Sequence, residues 1–417
     1  MSVCPYSNEA LSQGSTFVGG APLDLMRAVR GDNAVTWHED PRTGVGFWAV
    51  MRQAEIDYVS KNPLKFSSAE KTVAFQEFTD EEIELQRPIL INMDPPGHLK
   101  YRQVVRNAFK PKRIDALTER FNEIMDEVMA PILAKNSCEF VTEFSAELPL
   151  IAICEILGIP SDHRKQFFEW TNIMLEGDDD AVAAVDNEVR LKAMMDLFAY
   201  ADTLLEMHRS KGKEAARDDI VSALINAEVE GEALTDEEFR YFIMILVLAG
   251  NETTRTASNH GMRLLIENPD QFQLLIDNPD LVDDAVEEIL RYNTPVACMR
   301  RTAMEDVELA GEQIKAGDKV VMFYQSANHD ELVFSEPEKF DVTRQQREEV
   351  RNGHRSFGVG EHFCLGSHLA RLELQIMFRF IVNHIRNPRY DGDMVWLKSN
   401  FINGIKSMPI AYDVVNA

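Results

Sequence analysis

One cysteine constrains this chain more than any other residue. Cys364 sits in Phe357-Gly-Val-Gly-Glu-His-Phe-Cys-Leu-Gly366, with glycines six and four residues before it and two after it. Glycines at those offsets let a backbone turn tightly around one sulfur. Apolar residues then recur at 365, 369, 372, 376 and 380, the spacing of one helix face, which predicts a helix over 365–382. A thiol at a helix N-terminus meets the positive end of the dipole and free backbone N–H donors, and both favour thiolate. Phe357 and Phe363 are expected to strip water from it. Cys4, Cys138, Cys154 and Cys298 are scattered, and no Cys-x-x-Cys pair occurs, which argues against a disulfide framework or a zinc site. They read as small hydrophobes, and Cys364 as the one with a special task, a thiolate suited to ligating iron.

The longest helix signal starts at Thr235-Asp-Glu-Glu238, a capping box, and runs to about Glu267 before Asn268-Pro269. Its middle holds Ala249-Gly-Asn-Glu-Thr-Thr254 directly after an apolar run. Burying Glu252, Thr253 and Thr254 is costly without partners. Gly250 weakens the helix by about 1 kcal/mol relative to alanine, and threonine hydroxyls can bond back to the helix carbonyls and widen it. The pattern predicts a groove at Ala249-Gly250 that admits a small molecule, with Glu252 and Thr253 placed to move protons to it. The bland alternative is a kinked core helix with self-satisfied polar groups. Downstream, Glu288 and Arg291 stand at i,i+3 on one helical face.

These segments, in this order, resemble the cytochrome P450 superfamily. Phe-x-x-Gly-x-His-x-Cys-x-Gly is similar to its haem-binding loop, Ala-Gly-x-Glu-Thr-Thr to its oxygen-activating helix, and Glu288-Ile-Leu-Arg291 to its structural Glu-x-x-Arg pair, which Phe340-Asp-Val-Thr-Arg344 completes. The resemblance implies a mainly α fold with small β-sheets, a long central helix lying over a cysteine-ligated haem b, and one domain over 1–417. It makes Cys364 the metal ligand, Glu252 and Thr253 the catalytic pair, and Ala249 a haem neighbour. His98, Arg102, Arg301 and His362 become the partners of the haem propionates, while Arg300 reads as surface charge. Glu288 and Arg291 are assigned to stability.

A closer likeness, to bacterial oxidases of linalool-type terpenoids and of sterol side chains, lies in Trp170-Thr-Asn172, Ala249–Arg255, Arg300–Asp306, Gly317–Val321 and Asn400–Lys406. The substrate pocket is expected from Ile245, Leu248, Ala249, Val296, Ala297, Met299 and Ile402, roofed by Phe75 and Phe78. Such a lining suits a neutral lipophilic molecule. The leading reading is an O2-dependent monooxygenase. A peroxide-driven haem enzyme, a sterol or fatty-acid hydroxylase and a non-catalytic haem sensor stand as alternatives.

The chain has no flavin, nucleotide or Cys4-cluster motif, so electrons are expected from a separate ferredoxin and ferredoxin reductase. Net charge is −26 over 417 residues, which opposes nucleic-acid binding. Against it stand two basic runs: Lys100, Arg102, Arg106, Lys110, Lys112, Arg113, and Arg344, Arg347, Arg351, His354, Arg355. Each reads as a solvated patch or as a docking face for an acidic protein. The N-terminus has no cationic start or apolar stretch, and Phe242–Gly250 is too short to span a bilayer. The expectation is a cytoplasmic monomer with no membrane contact. Trp37–Met51 predicts a hairpin, and 65–92 an irregular stretch.

Overall fold

The computed structural model describes residues 9–106, 108–160, 163–175, 187–211, 220–229, 231–347 and 353–415. Cys4 and Arg351 lie outside them. The predicted hairpin forms from strands Val35–His38 and Phe47–Val50, which pair antiparallel with Trp37 opposite Trp48. It is the edge of a five-stranded sheet continued by Lys319–Phe323, Cys298–Ala303 and Phe66–Ser67. The Lys319–Phe323 strand runs parallel to Phe47–Val50 and antiparallel to Cys298–Ala303. Among the described residues a three-stranded sheet of Ile385–Tyr390, Pro409–Val414 and Ser137–Glu139 and three two-stranded ribbons make the remaining sheets, and helices fill the rest.

The longest helix spans Asp236–Glu267, 32 residues, and its capping box forms as the sequence predicts, Thr235 and Glu238 each bonding the other's backbone N–H. At 1.5 Å per residue it runs roughly 48 Å, through the largest apolar cluster. The helix after the cysteine spans Ser367–His384. These two helices cross closely because of Gly261: a Cβ there would sit 2.1 Å from Phe378 Cζ and 2.9 Å from Ile289 Cδ1. One missing methyl group thus sets the distance between the long helix and the helix that follows the cysteine.

The 65–92 stretch is more ordered than expected. Thr79 and Glu82 form a second capping box for a helix over Asp80–Gln86, followed by a 3₁₀ turn at Leu90–Asn92. Among the described residues no helix is long and apolar enough to cross a membrane.

Gly261→Ala is expected to cost about 2 kcal/mol by overpacking, because Phe378 and Ile289 would both have to move. Chemical denaturation of the purified protein, followed by circular dichroism, measures this. A neutral result would mean the helices separate freely.

Candidate active site

The cysteine loop is built from backbone hydrogen bonds. The Cys364 N–H donates to the Phe357 carbonyl at 2.9 Å, Phe363 N–H to Gly360 at 3.1 Å and Gly358 N–H to Arg355 at 2.9 Å. Gly358 and Gly360 adopt φ of +67° and +77°, and a Cβ on Gly360 would lie 2.7 Å from the Ser60 carbonyl, so both positions need glycine.

The loop hangs from a buried ionic network. Arg291 bonds Glu288 through Nε at 2.7 Å and Nη2 at 2.9 Å. Arg344 Nε reaches the same carboxylate at 3.0 Å, and the Asp341 N–H donates to it at 3.0 Å. Glu288 and Arg291 are fully buried and Arg344 nearly so. Arg291 Nη1 also donates to the Asn328 carbonyl at 2.8 Å. The Asn328 side chain accepts from the Arg355 N–H at 2.6 Å and donates to Ser356 Oγ at 2.8 Å, which ties the network to the loop. A second brace joins three elements at Glu287: Arg371 holds it at 2.5 and 3.0 Å, His354 at 3.1 Å, and the Arg371 guanidinium lies 4.4 Å from the Phe357 ring.

Burial pushes the Cys364 thiol up; the Gly366 N–H and the charges of Arg102 and Arg371 pull the other way without reversing it. Burial thus outweighs the helix N-terminus, and a bound cation is what would deprotonate this sulfur outright. Phe363, expected to shield the sulfur, is 41% exposed; only Phe357 packs against the core. Cys138, Cys154 and Cys298 are buried in apolar surroundings, and burial drives the Cys138 thiol up to about 12.

Cys364 opens onto a cavity of about 250 Å³, walled opposite by Ile245, Leu246, Ala249, Gly250, Thr253, Thr254 and Ala257 of the long helix. Those positions share one face at 100° per residue. Thr253 Oγ1 donates to the Ala249 carbonyl at 2.8 Å and Thr254 Oγ1 to Gly250 at 3.4 Å, the back-bonding read from the sequence. The same rotation turns Leu248 and Glu252 away from that face, and neither lines this cavity. Glu252 lines a second cavity of about 140 Å³ with Arg255, Asn172, Lys406 and Ile402. Arg255 bonds Glu252, and donates to Asn172 Oδ1 at 3.2 Å. The Asn251 amide donates to Thr171 Oγ1 at 3.3 Å. The Trp170-Thr-Asn172 and Ala249–Arg255 segments therefore meet.

A polar group closes one side of the main cavity. The His98 and His362 rings stack at 4.0 Å, beside Arg102 and Arg301. Burial, then the charges of Arg102 and Arg301, lowers His98 to about 4; burial, then Arg301, His98 and Arg102, takes His362 to about 2. Asp94 is the carboxylate whose charge reaches His98 and Arg301, and it is already bonded by Ser67 and Ser68. His98 Nδ1 is buried with no partner among the described residues. This donor set is suited to anionic groups entering from the cavity.

The sequence profile of the cytochrome P450 family matches residues 182–402. A steroid C26-monooxygenase of Rhodococcus jostii is 40% identical over 90% of this chain and 76% of its own. The chain belongs to the cytochrome P450 family. A linalool 8-monooxygenase of Pseudomonas putida is 33% identical over 93% of this chain and 95% of its own. The structure of a Mycobacterium marinum cytochrome P450 in complex with pseudoionone superposes with a TM-score of 0.84 at 34% identity, covering 94% of each chain.

The protein is thus a cytochrome P450 monooxygenase that acts on lipophilic substrates with O2 and haem b, which this family binds through a cysteine thiolate. The cavity fits that group. It has one cysteine, Cys364, a small-residue groove at Ala249-Gly250 opposite, and the His98, Arg102, Arg301 and His362 set for two carboxylates.

Of the expected pocket residues, Ile245, Ala249, Val296 and Met299 line this cavity, and Leu248, Phe75, Phe78, Ala297 and Ile402 do not. Ile402 bridges Val296 from behind. Phe75 and Ala297 belong to a separate apolar cluster beneath the sheet. Phe75 is held there, edge-on to Phe47 at 5.1 Å and 4.0 Å from Lys319 Nζ. Glu77 fixes that segment by bonding Arg300 at 2.8 Å and Lys319 at 3.0 Å. Arg300, expected at the surface, is therefore buried. Leu90 and Ile91 roof the cavity in place of the phenylalanines. Phe109, Ile153, Tyr324 and Glu373 also line it and were not anticipated.

The second basic run is no surface patch. Arg344 is in the Glu288 network, Arg347 pairs with Asp341, His354 with Glu287 and Arg355 with Asp57.

The Glu287 brace predicts an acid limb. Burial raises its carboxyl, and the hydrogen bonds and charges of His354 and Arg371 outweigh it, leaving about 2 against an ordinary 4.5. A depressed folded pKa adds stability that is complete above about 4.5 and is lost as pH falls toward 2, a term of about 3 kcal/mol. Thermal unfolding from pH 7 to pH 3 should show a shallower loss in Glu287→Gln than in the wild type. Parallel curves would remove this brace as a source of acid sensitivity.

Proposed function

We propose that the protein hydroxylates a methyl or allylic carbon of a neutral, branched isoprenoid chain, a monoterpenoid alcohol of the linalool type, with Cys364 as the thiolate that would hold the haem and Glu252 and Thr253 as the proton relay. The observation that carries the reading is the make-up of the main cavity. Its sulfur faces a groove of Ala249 and Gly250, and the surfaces around the groove are Ile245, Leu246, Val296, Met299, Leu90 and Ile91. Ionic groups gather at the His98 and Arg301 end. Glu373 apart, the remaining lining beside that set is mostly apolar, so binding comes from apolar contact and shape. Met299 adapts to an irregular branched ligand. The relatives named for steroid C26 and linalool C8 oxidation, and the structure complexed with pseudoionone, support a branched hydrocarbon chain as the common element.

The reaction consumes O2, two electrons, two protons and one C–H bond, and yields an alcohol and one water. Haem supplies O2 binding and O–O cleavage, for which a thiolate donates electron density. The chain's residues do the rest. His98, Arg102, Arg301 and His362 would orient the propionates. Ala249 leaves space for the substrate, and the apolar walls exclude water. Glu252 takes protons from the second cavity, where Arg255, itself bonded to Asn172, holds it. Thr253 hands them on at the other face of the helix, where its hydroxyl is already polarised against the Ala249 carbonyl.

Electrons arrive from a ferredoxin that docks over Arg106, Lys110, Lys112 and their neighbours Lys100 and Arg113. Arg106, Lys110 and Lys112 are exposed in a chain of net charge −26. The short helix Pro111–Asp115 packs on the helix that follows Cys364. His368 of that helix bonds Asp115 at 2.7 Å. Exposed Phe363 lies in the same loop as the sulfur, and Arg102 bonds its carbonyl.

Two measurements test this. Linalool should shift the Soret band of the haem-loaded protein toward high spin, and Ala249→Phe should abolish that shift while CO binding persists. A larger response to a steroid with an intact side chain would move the substrate to the sterol class, and binding of charged aromatic acids alone would sink the apolar reading. Ferredoxin-dependent reduction should slow as salt rises, since exposed charges are screened beyond about 8–10 Å at physiological ionic strength. Reversing Lys110 and Lys112 to Glu should raise the apparent KM for ferredoxin several-fold without altering linalool affinity. Insensitivity to both would place the partner elsewhere.

A further inference from the structure

The roof of the main cavity is held by charges that do not face the cavity. Leu90 and Ile91 belong to the turn Leu90–Asn92. The buried Asn92 side chain accepts from the Val73 N–H at 3.1 Å and donates to the Gln86 carbonyl at 3.3 Å. One amide thus ties the roof turn to the end of the helix Asp80–Gln86 and to the segment that precedes it. The long helix adds a bond at the same place, from the Tyr241 hydroxyl to the Leu85 carbonyl at 2.8 Å.

Val73 and Glu77 are in turn gripped by one residue. The Arg300 N–H donates to the Val73 carbonyl at 2.9 Å, and its guanidinium donates to Glu77 at 2.8 Å. Strand alternation decides where this happens. Met299 and Arg301 line the cavity, so Arg300 between them points to the opposite face of the sheet. Lys319 lies opposite Thr302, and Val321 opposite Arg300, which makes Lys319 and Arg300 diagonal neighbours on that face. Lys319 Nζ meets the same Glu77 oxygen at 3.0 Å. Both cations are buried. Asp40, the other carboxylate whose charge reaches Lys319, is itself held by Arg42 at 3.1 and 3.2 Å. Two buried cations therefore depend on Glu77, and a neutral side chain there would leave them uncompensated. Burial raises the Glu77 carboxyl, and the charges of Arg300 and Lys319 outweigh that, which keeps it ionised.

We infer that Glu77 is a positioning residue that sets the length of chain the cavity accepts. By bridging Arg300 and Lys319 behind the cavity wall it fixes the 73–77 segment, and the Val73–Asn92 bond carries that position to Leu90 and Ile91. The inference rests on the reading of this cavity as the substrate chamber and goes beyond it, because it holds for any guest that reaches the roof. Without the Glu77 charge the segment loses its anchor, Asn92 loses a fixed partner, and the roof turn can lift. The long helix and the cysteine loop take no part in these bonds except through Tyr241, so the reacting end keeps its geometry.

The Glu77 side chain is 25% exposed, so Glu77→Gln keeps the shape and removes only the charge. N-propyl-, N-hexyl- and N-decylimidazole bind haem iron through nitrogen whatever the natural substrate is, and their Soret shifts in the haem-loaded protein measure the room beneath the roof. The ratio of decyl to propyl affinity should rise several-fold in Glu77→Gln. Amides of residues 72–92 should exchange with D2O several-fold faster, while those of Ser367–His384 keep their wild-type rates. Asn92→Leu, which leaves the ionic contacts in place, should raise the ratio in the same sense. An unchanged ratio in Glu77→Gln overturns the inference. So does exchange that quickens throughout the protein, since Glu77 would then stabilise the fold and not position the roof. Linalool titrated in parallel separates this inference from the substrate assignment. If linalool leaves the Soret band unmoved while the ratio rises, the substrate is wrong and the role of Glu77 stands. If linalool binds and neither ratio nor exchange changes, Glu77 has no part in selectivity.

Discussion

The arrangement around Cys364 depends on one carboxylate. Glu288 accepts from two guanidinium groups and a backbone N–H and is fully buried. A buried charge in that setting is tolerable only while its partners stay in place, and losing one partner costs about 3–5 kcal/mol. The arginines spend their remaining N–H groups on the carbonyls of Asn328, Pro337, Ser335 and Lys339. The network therefore fixes backbone rather than side chains, and Asn328 transmits that fixed position to Arg355 and Ser356 at the head of the cysteine loop. Sulfur position and domain stability are one property here.

The long helix works as a wall with two chemically different sides. Its cavity face has small residues and two hydroxyls bonded back to the helix. One residue away, a rotation of 100°, the Glu252–Arg255 pair faces the second cavity. A strand could not do this, because its alternation would set neighbouring residues on opposite faces with no graded side between them. Helical geometry permits an ion pair, a hydroxyl and a methyl-sized gap within a turn and a half.

Legibility in the sequence followed the range of the interactions. The cysteine loop, the capped 32-residue helix, the hairpin and the Glu288–Arg291 pair are encoded by neighbours in sequence, and all form as read. Misplacements arose where distant segments decide. Phe75, expected in the roof as part of the 72–91 stretch, is one case. Lys319 and Arg300, more than two hundred positions away, hold Glu77 and carry Phe75 under the sheet. Arg300 and the run from Arg344 to Arg355 looked solvated because their partners Glu77, Glu288, Glu287 and Asp57 are remote in sequence. Leu248 had the right chemistry and the wrong helical angle. Glu373 had a signal that was available: a glutamate in an otherwise apolar run, nine residues after the cysteine and on the inward side of its helix.

The contact at Gly261 has a mechanical meaning. With Phe378 and Ile289 pressed against a bare α-carbon, the long helix and the helix behind the cysteine cannot slide or part without repacking aromatic side chains. The separation between the groove and the sulfur behaves as a hard dimension of the protein. Any change of shape that admits a larger guest must come from the other boundaries, the Leu90–Ile91 turn and the Pro295–Met299 segment, which line the same cavity and belong to no long helix. Tolerance for different chain lengths is thus confined to those two segments, while the spacing between groove and sulfur keeps a single gauge.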